Sequence, residues 1–94
     1  MKTFKDIKFK PHTSGEGLDG KIFFDNGYGA SVVRFKTSMG FGSYTNNETE
    51  WELAVLFGDK DEWNLTYDTD ITKDVLGHLT EEEVTETLIK IQSL

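Results

Sequence analysis

Histidines and carboxylates are the side chains of this 94-residue sequence that could carry acid–base chemistry, and neither type forms a known catalytic arrangement. His12 and His78 are the two histidines, and neither lies in a G-x-S-x-G or H-E-x-x-H motif. Glu50 and Glu52 share one face of a predicted strand and could act as an acid–base pair, although a solvated face is the simpler interpretation. There is no cysteine, which excludes thiolate catalysis and cysteine-bound zinc. The sequence therefore predicts a protein that is not an enzyme.

A second candidate is a cation site. Four oxygen-bearing side chains at two-residue intervals are similar to the start of an EF-hand loop: Asp68, Asp70, Thr72 and Asp74. Such a loop needs glycine at its sixth position and a bidentate glutamate at its twelfth, and these positions hold Lys73 and Leu79. A weak oxygen-ligand site stays open, beside the alternative that Asp70 or Thr72 caps a turn. No metal and no cofactor is expected.

Residues 15–20, GEGLDG, match the letters of a dinucleotide-binding motif. That motif needs a helix after the glycines, so that backbone N–H groups meet the phosphates. Here the strand-like residues KIFF follow, and Glu16 and Asp19 would repel phosphate. We therefore expect a loop after Pro11, without a nucleotide site.

Charge is distributed unevenly along the chain. The formal net charge is −7, with +3 in residues 1–36 and −10 in residues 37–94. This balance argues against direct binding of nucleic acid over the whole domain. An acidic face near the C-terminal elements is expected, with solubility as its simplest role.

The elements that must position these side chains begin with strands. Alternation over Phe4–Lys10 predicts an edge strand that buries Ile7 and Phe9. Residues 21–35 predict a β-hairpin, with Asn26–Gly27 in a type I′ turn and a bulge or close backbone approach at Gly29. Residues 37–49 have no periodicity and predict a long loop.

Residues 51–67 predict a second hairpin. Trp51, Leu53, Val55 and Phe57 alternate on its first strand, and residues 58–62 form the turn. Trp63, Leu65 and Tyr67 alternate on the return.

The C-terminal segment predicts an amphipathic helix. Thr80 and Glu83 form a capping box at its start, and Val84, Leu88 and Ile91 make one apolar stripe. Residues 72–77 predict a short helical turn closed by Gly77. The predicted fold is α+β: a single domain, residues 1–94, with a small antiparallel sheet of about five strands packed against the C-terminal helix.

Aromatic residues make up 13% of the chain, and most lie on predicted strands, where they are expected in the core. The core set is Phe4, Phe9, Phe23, Phe24, Phe35, Trp51, Phe57 and Trp63. Tyr28 at a turn and Phe41 and Tyr44 in the 37–49 loop are harder to bury by pattern. Together with Arg34 they form the candidate partner-binding set, since exposed aromatics beside arginine are typical of binding hot spots.

Four segments resemble a family of small bacteriophage proteins of unknown activity: residues 23–34 (FFDNGYGASVVR), 51–56 (WELAVL), 65–72 (LTYDTDIT) and 74–84 (DVLGHLTEEEV). The resemblance covers roughly residues 20–90. The stretch 39–47 and the longer turn at 58–64 depart from the family pattern. No catalytic residue carries over from the family. The resemblance implies a phage or prophage product acting in the cytoplasm of the bacterial host.

Met1–Asp6 carries charges without an apolar stretch, so neither a signal peptide nor a membrane segment is expected. We expect an accessory protein that binds a host or phage protein. One alternative is an acidic nucleic-acid mimic that inhibits a DNA-binding or defence protein. Another is a small-molecule-binding domain. A homodimer through open strand edges is possible on this pattern.

Overall fold

A computed structural model describes residues 1–11, 16–37, 40–41, 50–67, 69, 71 and 76–94; for residues 16, 35–37, 40 and 41 it describes the backbone alone. A short 3₁₀ helix, Phe4–Asp6, precedes the strands. The strands are β1 (Lys10–Pro11), β2 (Glu16–Phe23), β3 (Tyr28–Thr37), β4 (Gly40–Phe41), β5 (Trp51–Gly58), β6 (Trp63–Leu65) and β7 (Leu76–Leu79). The helix α1 spans Glu81–Gln92.

Over the described residues the strands form one antiparallel sheet in the order β1-β2-β3-β5-β6, with β4 on β3 and β7 on β5. Helix α1 covers one face, which we call the inner face. The α+β prediction, a small antiparallel sheet packed against a C-terminal helix, is confirmed. The described sheet has seven strands, whereas the sequence predicts about five. Two of the seven, β1 and β4, are only two residues long.

The core lies between the inner face and α1. Val32, Leu53 and Val55 on the sheet and Leu88 and Ile91 on the helix are fully buried. The predicted capping box is present, because the Glu83 amide donates to Thr80 Oγ1 at 3.2 Å and the Thr80 amide donates to Glu83 Oε1 at 3.1 Å. The predicted apolar stripe therefore does lie on the sheet.

The first hairpin is confirmed, with a different turn. A type I′ turn needs positive φ at both central residues, yet of Asn26 and Gly27 only Gly27 has one, at +87°. The Gly27 amide donates to the Phe24 carbonyl, and the Phe24 amide donates to the Tyr28 carbonyl. The turn thus centres on Asp25 and Asn26. Asn26 also donates from Nδ2 to the Ile91 carbonyl at 2.8 Å, which supplies a partner for a carbonyl in the last turn of α1.

Gly29 fulfils the predicted close approach. A Cβ there would lie 2.6 Å from the Ile22 carbonyl oxygen, and the pairing of β2 with β3 runs through this position without a register shift.

The predicted strand over Phe4–Lys10 is wrong. The segment forms the 3₁₀ helix instead, and only Lys10 joins a strand. The Phe4 amide donates to Thr85 Oγ1 at 3.0 Å. The Lys2 amide donates to Gln92 Oε1, and Gln92 Nε2 donates to the Lys2 carbonyl. Since α1 satisfies these groups, the segment docks on the helix rather than beside a strand. Ile7 is nevertheless buried, as the alternation predicted.

Three loop or turn predictions also need correction. Strand β2 begins at Glu16, inside the expected loop after Pro11, because residues 16–23 pair with β3 along their length. Gly40–Phe41 pairs with Thr37 and Lys36, so part of the 37–49 segment is a short hairpin. Gly77 lies within β7, where residues 76–79 pair with β5, rather than closing a helical turn; residues 72–75 lie outside the described part.

Candidate interaction surface

The described histidine, His78, forms a surface pair with Glu50. His78 Nδ1 lies 3.2 Å from Glu50 Oε1, and the His78 side chain is 51% exposed. His78 also has φ +57°, a backbone conformation that costs a non-glycine residue roughly 1–2 kcal/mol. The described residues include no group of three or more acids and histidines able to hold a metal ion. His12, Asp68, Asp70, Thr72 and Asp74 lie outside the described part, so the weak cation site stays an open alternative to the expectation of no metal.

Two grooves are described, and both are open to solvent. One, of about 380 Å³, lies between the 3₁₀ helix and the start of α1, and the other, of about 280 Å³, lies between the first hairpin turn and Gln92. Small-molecule sites are enclosed and mostly apolar, with converging polar groups. Neither groove has this form, so neither supports a small-molecule-binding domain.

The predicted binding residues do not form one site. Tyr28 begins β3 and Arg34 lies six residues further along it, a separation of roughly 20 Å. The Tyr28 ring packs against Phe57 with centroids 5.3 Å apart. The Arg34 guanidinium lies 4.2 Å from the ring centroid of the buried Trp51, so it covers the core. The Phe41 backbone pairs with Lys36, while its side chain and all of Tyr44 lie outside the described part.

A different surface collects exposed apolar side chains. Phe57 is 56% exposed, Trp63 38%, Leu65 49% and Tyr67 40%. We call Trp63, Leu65 and Tyr67, with the backbone of β6, the β6 edge. Phe57 belongs to β5 and pairs with Asn64, so its side chain lies on the inner face. The expectation that Phe57 and Trp63 are core residues is wrong, because both side chains are exposed. Trp63 lies on β6, the last strand in the described order.

We call the face of the sheet opposite α1 the outer face. The Trp63 side chain lies on this face. Trp63 pairs with Gly58, and Lys21 Nζ of β2 lies 5.3 Å from its ring centroid, within cation–π range. Leu65 pairs with Leu56 on the same face, and Leu56 is fully buried. The Trp63 and Leu65 side chains are therefore exposed on the outer face, beside the buried Leu56.

The hydrogen bonds of β6 show which of its backbone groups point toward β5 and which point away from it. The Asp59 amide donates to the Glu62 carbonyl, and the Thr66 amide donates to the Val55 carbonyl. Because backbone groups alternate along a strand, residues 62, 64 and 66 bond toward β5. The N–H and C=O groups of Trp63 and Leu65 therefore point away from the sheet.

The two edges of the described sheet differ in protection. Strand β1, at one edge, consists of an exposed lysine and an exposed proline, both of which discourage further pairing. Strand β6, at the other edge, consists of tryptophan, asparagine and leucine, all exposed. The β6 edge carries neither form of protection.

An acidic turn adjoins this edge. Residues 59–62 are exposed and hold Asp59, Asp61 and Glu62 beside a single lysine. The backbone amides of Asp61 and Glu62 donate to Asp59 Oδ1 at 2.9 and 3.0 Å. These bonds lower the pKa of Asp59 below its ordinary value. The carboxylate thus keeps its charge and orders the turn before β6.

The lowered Asp59 pKa predicts a pH dependence. Its stabilisation is complete above the unfolded pKa, near pH 4, and is lost as the pH falls through the lower folded pKa. We expect wild type to be slightly more stable than Asp59→Asn at about pH 6, and the difference to shrink as the pH falls below about 4. Urea unfolding at about pH 6 and at successively lower pH measures it; a difference that grows on acidification would contradict this account.

The chain matches no protein-family model, no curated protein and no solved structure. The resemblance to phage proteins therefore stays a prediction from the sequence. No helix in the described part of the chain is long and apolar enough to cross a membrane.

Proposed function

We propose that the chain is a phage-encoded accessory protein that binds a host or phage protein through the β6 edge, without enzymatic activity, in the bacterial cytoplasm. The observation that carries the binding role is the group of three exposed large apolar side chains, Trp63, Leu65 and Tyr67, on an edge without lysine or proline. Tryptophan and tyrosine are enriched among the residues that dominate binding energy. The phage context rests on the sequence resemblance alone.

The size of the surface supports a transient partner. From the exposed fractions, Trp63, Leu65 and Tyr67 present on the order of 250 Å². This is slightly below the ~300–600 Å² of the largest apolar patch on a typical monomer. An interface of this size falls at the low end for protein pairs, so we expect dissociation constants in the micromolar range.

The proposal predicts that Trp63→Ser abolishes partner capture from host lysate. Ile89→Ser is the matched control, since Ile89 is 39% exposed but lies on α1. Circular dichroism first establishes that both variants are folded. A partner retained by wild type and the Ile89 variant and lost with the Trp63 variant is expected; equal retention by all three would contradict the proposal.

One observation favours the acidic-mimic alternative. Glu81, Glu82, Glu83 and Glu86 are exposed on α1, and the first three occupy its first turn. A mimic bound through these carboxylates should lose affinity steeply between about 50 and 500 mM salt and should fail when they are changed to glutamine. Binding through the β6 edge should be unaffected by the glutamine changes on α1.

A further inference from the structure

We infer that the partner contributes an extended segment that pairs antiparallel to β6 and adds a strand to the sheet. This inference rests on the proposed function, since it states how the same edge is occupied. Strand addition is a common way of recognising extended polypeptide, with main-chain bonds giving affinity and alternate side chains giving specificity.

Backbone geometry supplies the first argument. The outward N–H and C=O groups of Trp63 and Leu65 follow from the hydrogen bonds that residues 59 and 66 make at either end of β6. Each outward residue can exchange two main-chain bonds with an antiparallel strand. No described strand occupies this side of β6.

Side-chain alternation supplies the second. Residues directly opposite one another in an antiparallel pair point to the same face. Partner residues opposite Trp63 and Leu65 would therefore lie on the outer face against these two exposed apolar side chains. The residue between them would face Asn64. The segment should thus carry apolar residues at alternate positions.

Charge defines one end of the segment. In an antiparallel pair, the C-terminal end of the added strand lies beside the N-terminal end of β6, where the 59–62 turn holds three exposed acids. Lysine or arginine at that end would complement the turn. A second copy of this chain would instead bring another net charge of −7 to the edge. The occupant we propose is a foreign segment with a basic C-terminal end.

A synthetic peptide tests this inference. The probe is an acetylated strand of about eight residues, alternating threonine and valine and ending in two lysines, and its binding is followed by amide exchange and titration. We expect the Trp63 and Leu65 amides to become protected at least ~10-fold. N-methylation of alternate peptide bonds should weaken binding at least ~10-fold, as should moving the lysines to the N-terminal end.

Leu65→Pro, compared with Leu65→Ala, isolates the main-chain contribution. Both remove the leucine side chain, and only proline removes the outward N–H, at an edge position that tolerates it. We expect the proline variant to bind at least ~10-fold more weakly than the alanine variant. Equal affinities, unchanged binding of the N-methylated peptide, or no binding near 1 mM peptide would overturn the inference.

Two further results distinguish the proposed binding surface from the proposed strand addition by a foreign segment. Sedimentation that shows a dimer disrupted by Trp63→Ser would mean that a second copy occupies the edge, which would overturn the foreign-segment inference. If lysate capture is lost with Trp63→Ser and fully retained with Leu65→Pro, the binding surface stands and strand addition fails.

Discussion

Leu88→Ala is expected to lower the free energy of unfolding by about 3 kcal/mol, because large-to-small changes at fully buried leucines remove burial and leave a cavity. Leu88 is fully buried at the centre of the α1 stripe. For a chain of this size the melting temperature should fall by roughly 10–20 °C. Urea unfolding and calorimetry measure the two quantities.

The control for this prediction is Ile89→Ala, one residue along the same helix. Ile89 is 39% exposed, so its loss should cost less than about 1 kcal/mol. Similar losses at both positions would mean that α1 does not pack on the sheet through the Val84–Leu88–Ile91 stripe.

Gly58→Ala has the second large expected effect, a loss of about 3 kcal/mol or more in the free energy of unfolding. Gly58 has φ +126°, which other residues rarely adopt, and strained backbone of this kind costs about 1–3 kcal/mol. A Cβ there would also overlap the Glu62 carbonyl oxygen and lie 2.9 Å from Trp63 Cα. Since these are backbone atoms, β6 would have to move, and binding through its edge should weaken as well.

The Gly27→Ala variant separates the cost of backbone strain from the cost of steric overlap with neighbouring atoms. Gly27 has φ +87°, and a Cβ there would meet nothing within 4 Å. Only conformational strain of roughly 1 kcal/mol is expected, with the β6 edge intact. Chemical denaturation compares the two variants; equal costs would show that the contact with Glu62 contributes nothing.

The parts of the fold that sequence predicted well are those set by local chemistry. Thr80 and Glu83 form a capping box because the two side chains satisfy each other's backbone amides within one turn. Gly27 marks the hairpin because its φ of +87° is a conformation that favours glycine, although the turn is not the predicted type I′. Val84, Leu88 and Ile91 indicate the buried face because their spacing follows the helical period.

The predictions that failed depended on distant partners. Ile7 and Phe9 alternate as in a strand, but α1 takes the backbone groups of the segment around Phe4. Trp63 alternates as core residues do, and its exposure follows from β6 being the last strand in the described order. The alternation of apolar and polar residues shows that a strand has two different faces. It does not show which strand lies at the edge of the sheet or what covers that strand.

The candidate site was missed for the same reason. Sequence position near a turn or beside aromatic residues favours Tyr28 and Arg34 as binding residues, yet each packs on another side chain, Phe57 and Trp51 respectively. The contrast between an edge made of lysine and proline and one made of tryptophan and leucine becomes visible only once the strand order is known.

Amide hydrogen exchange of the free protein tests the central claim, the open β6 edge, without needing a partner. The account predicts that the Trp63 and Leu65 amides exchange at least ~10-fold faster than those of Asn64 and Thr66, which bond toward β5. Equal and strong protection of all four amides would contradict it, because the edge would then already be paired.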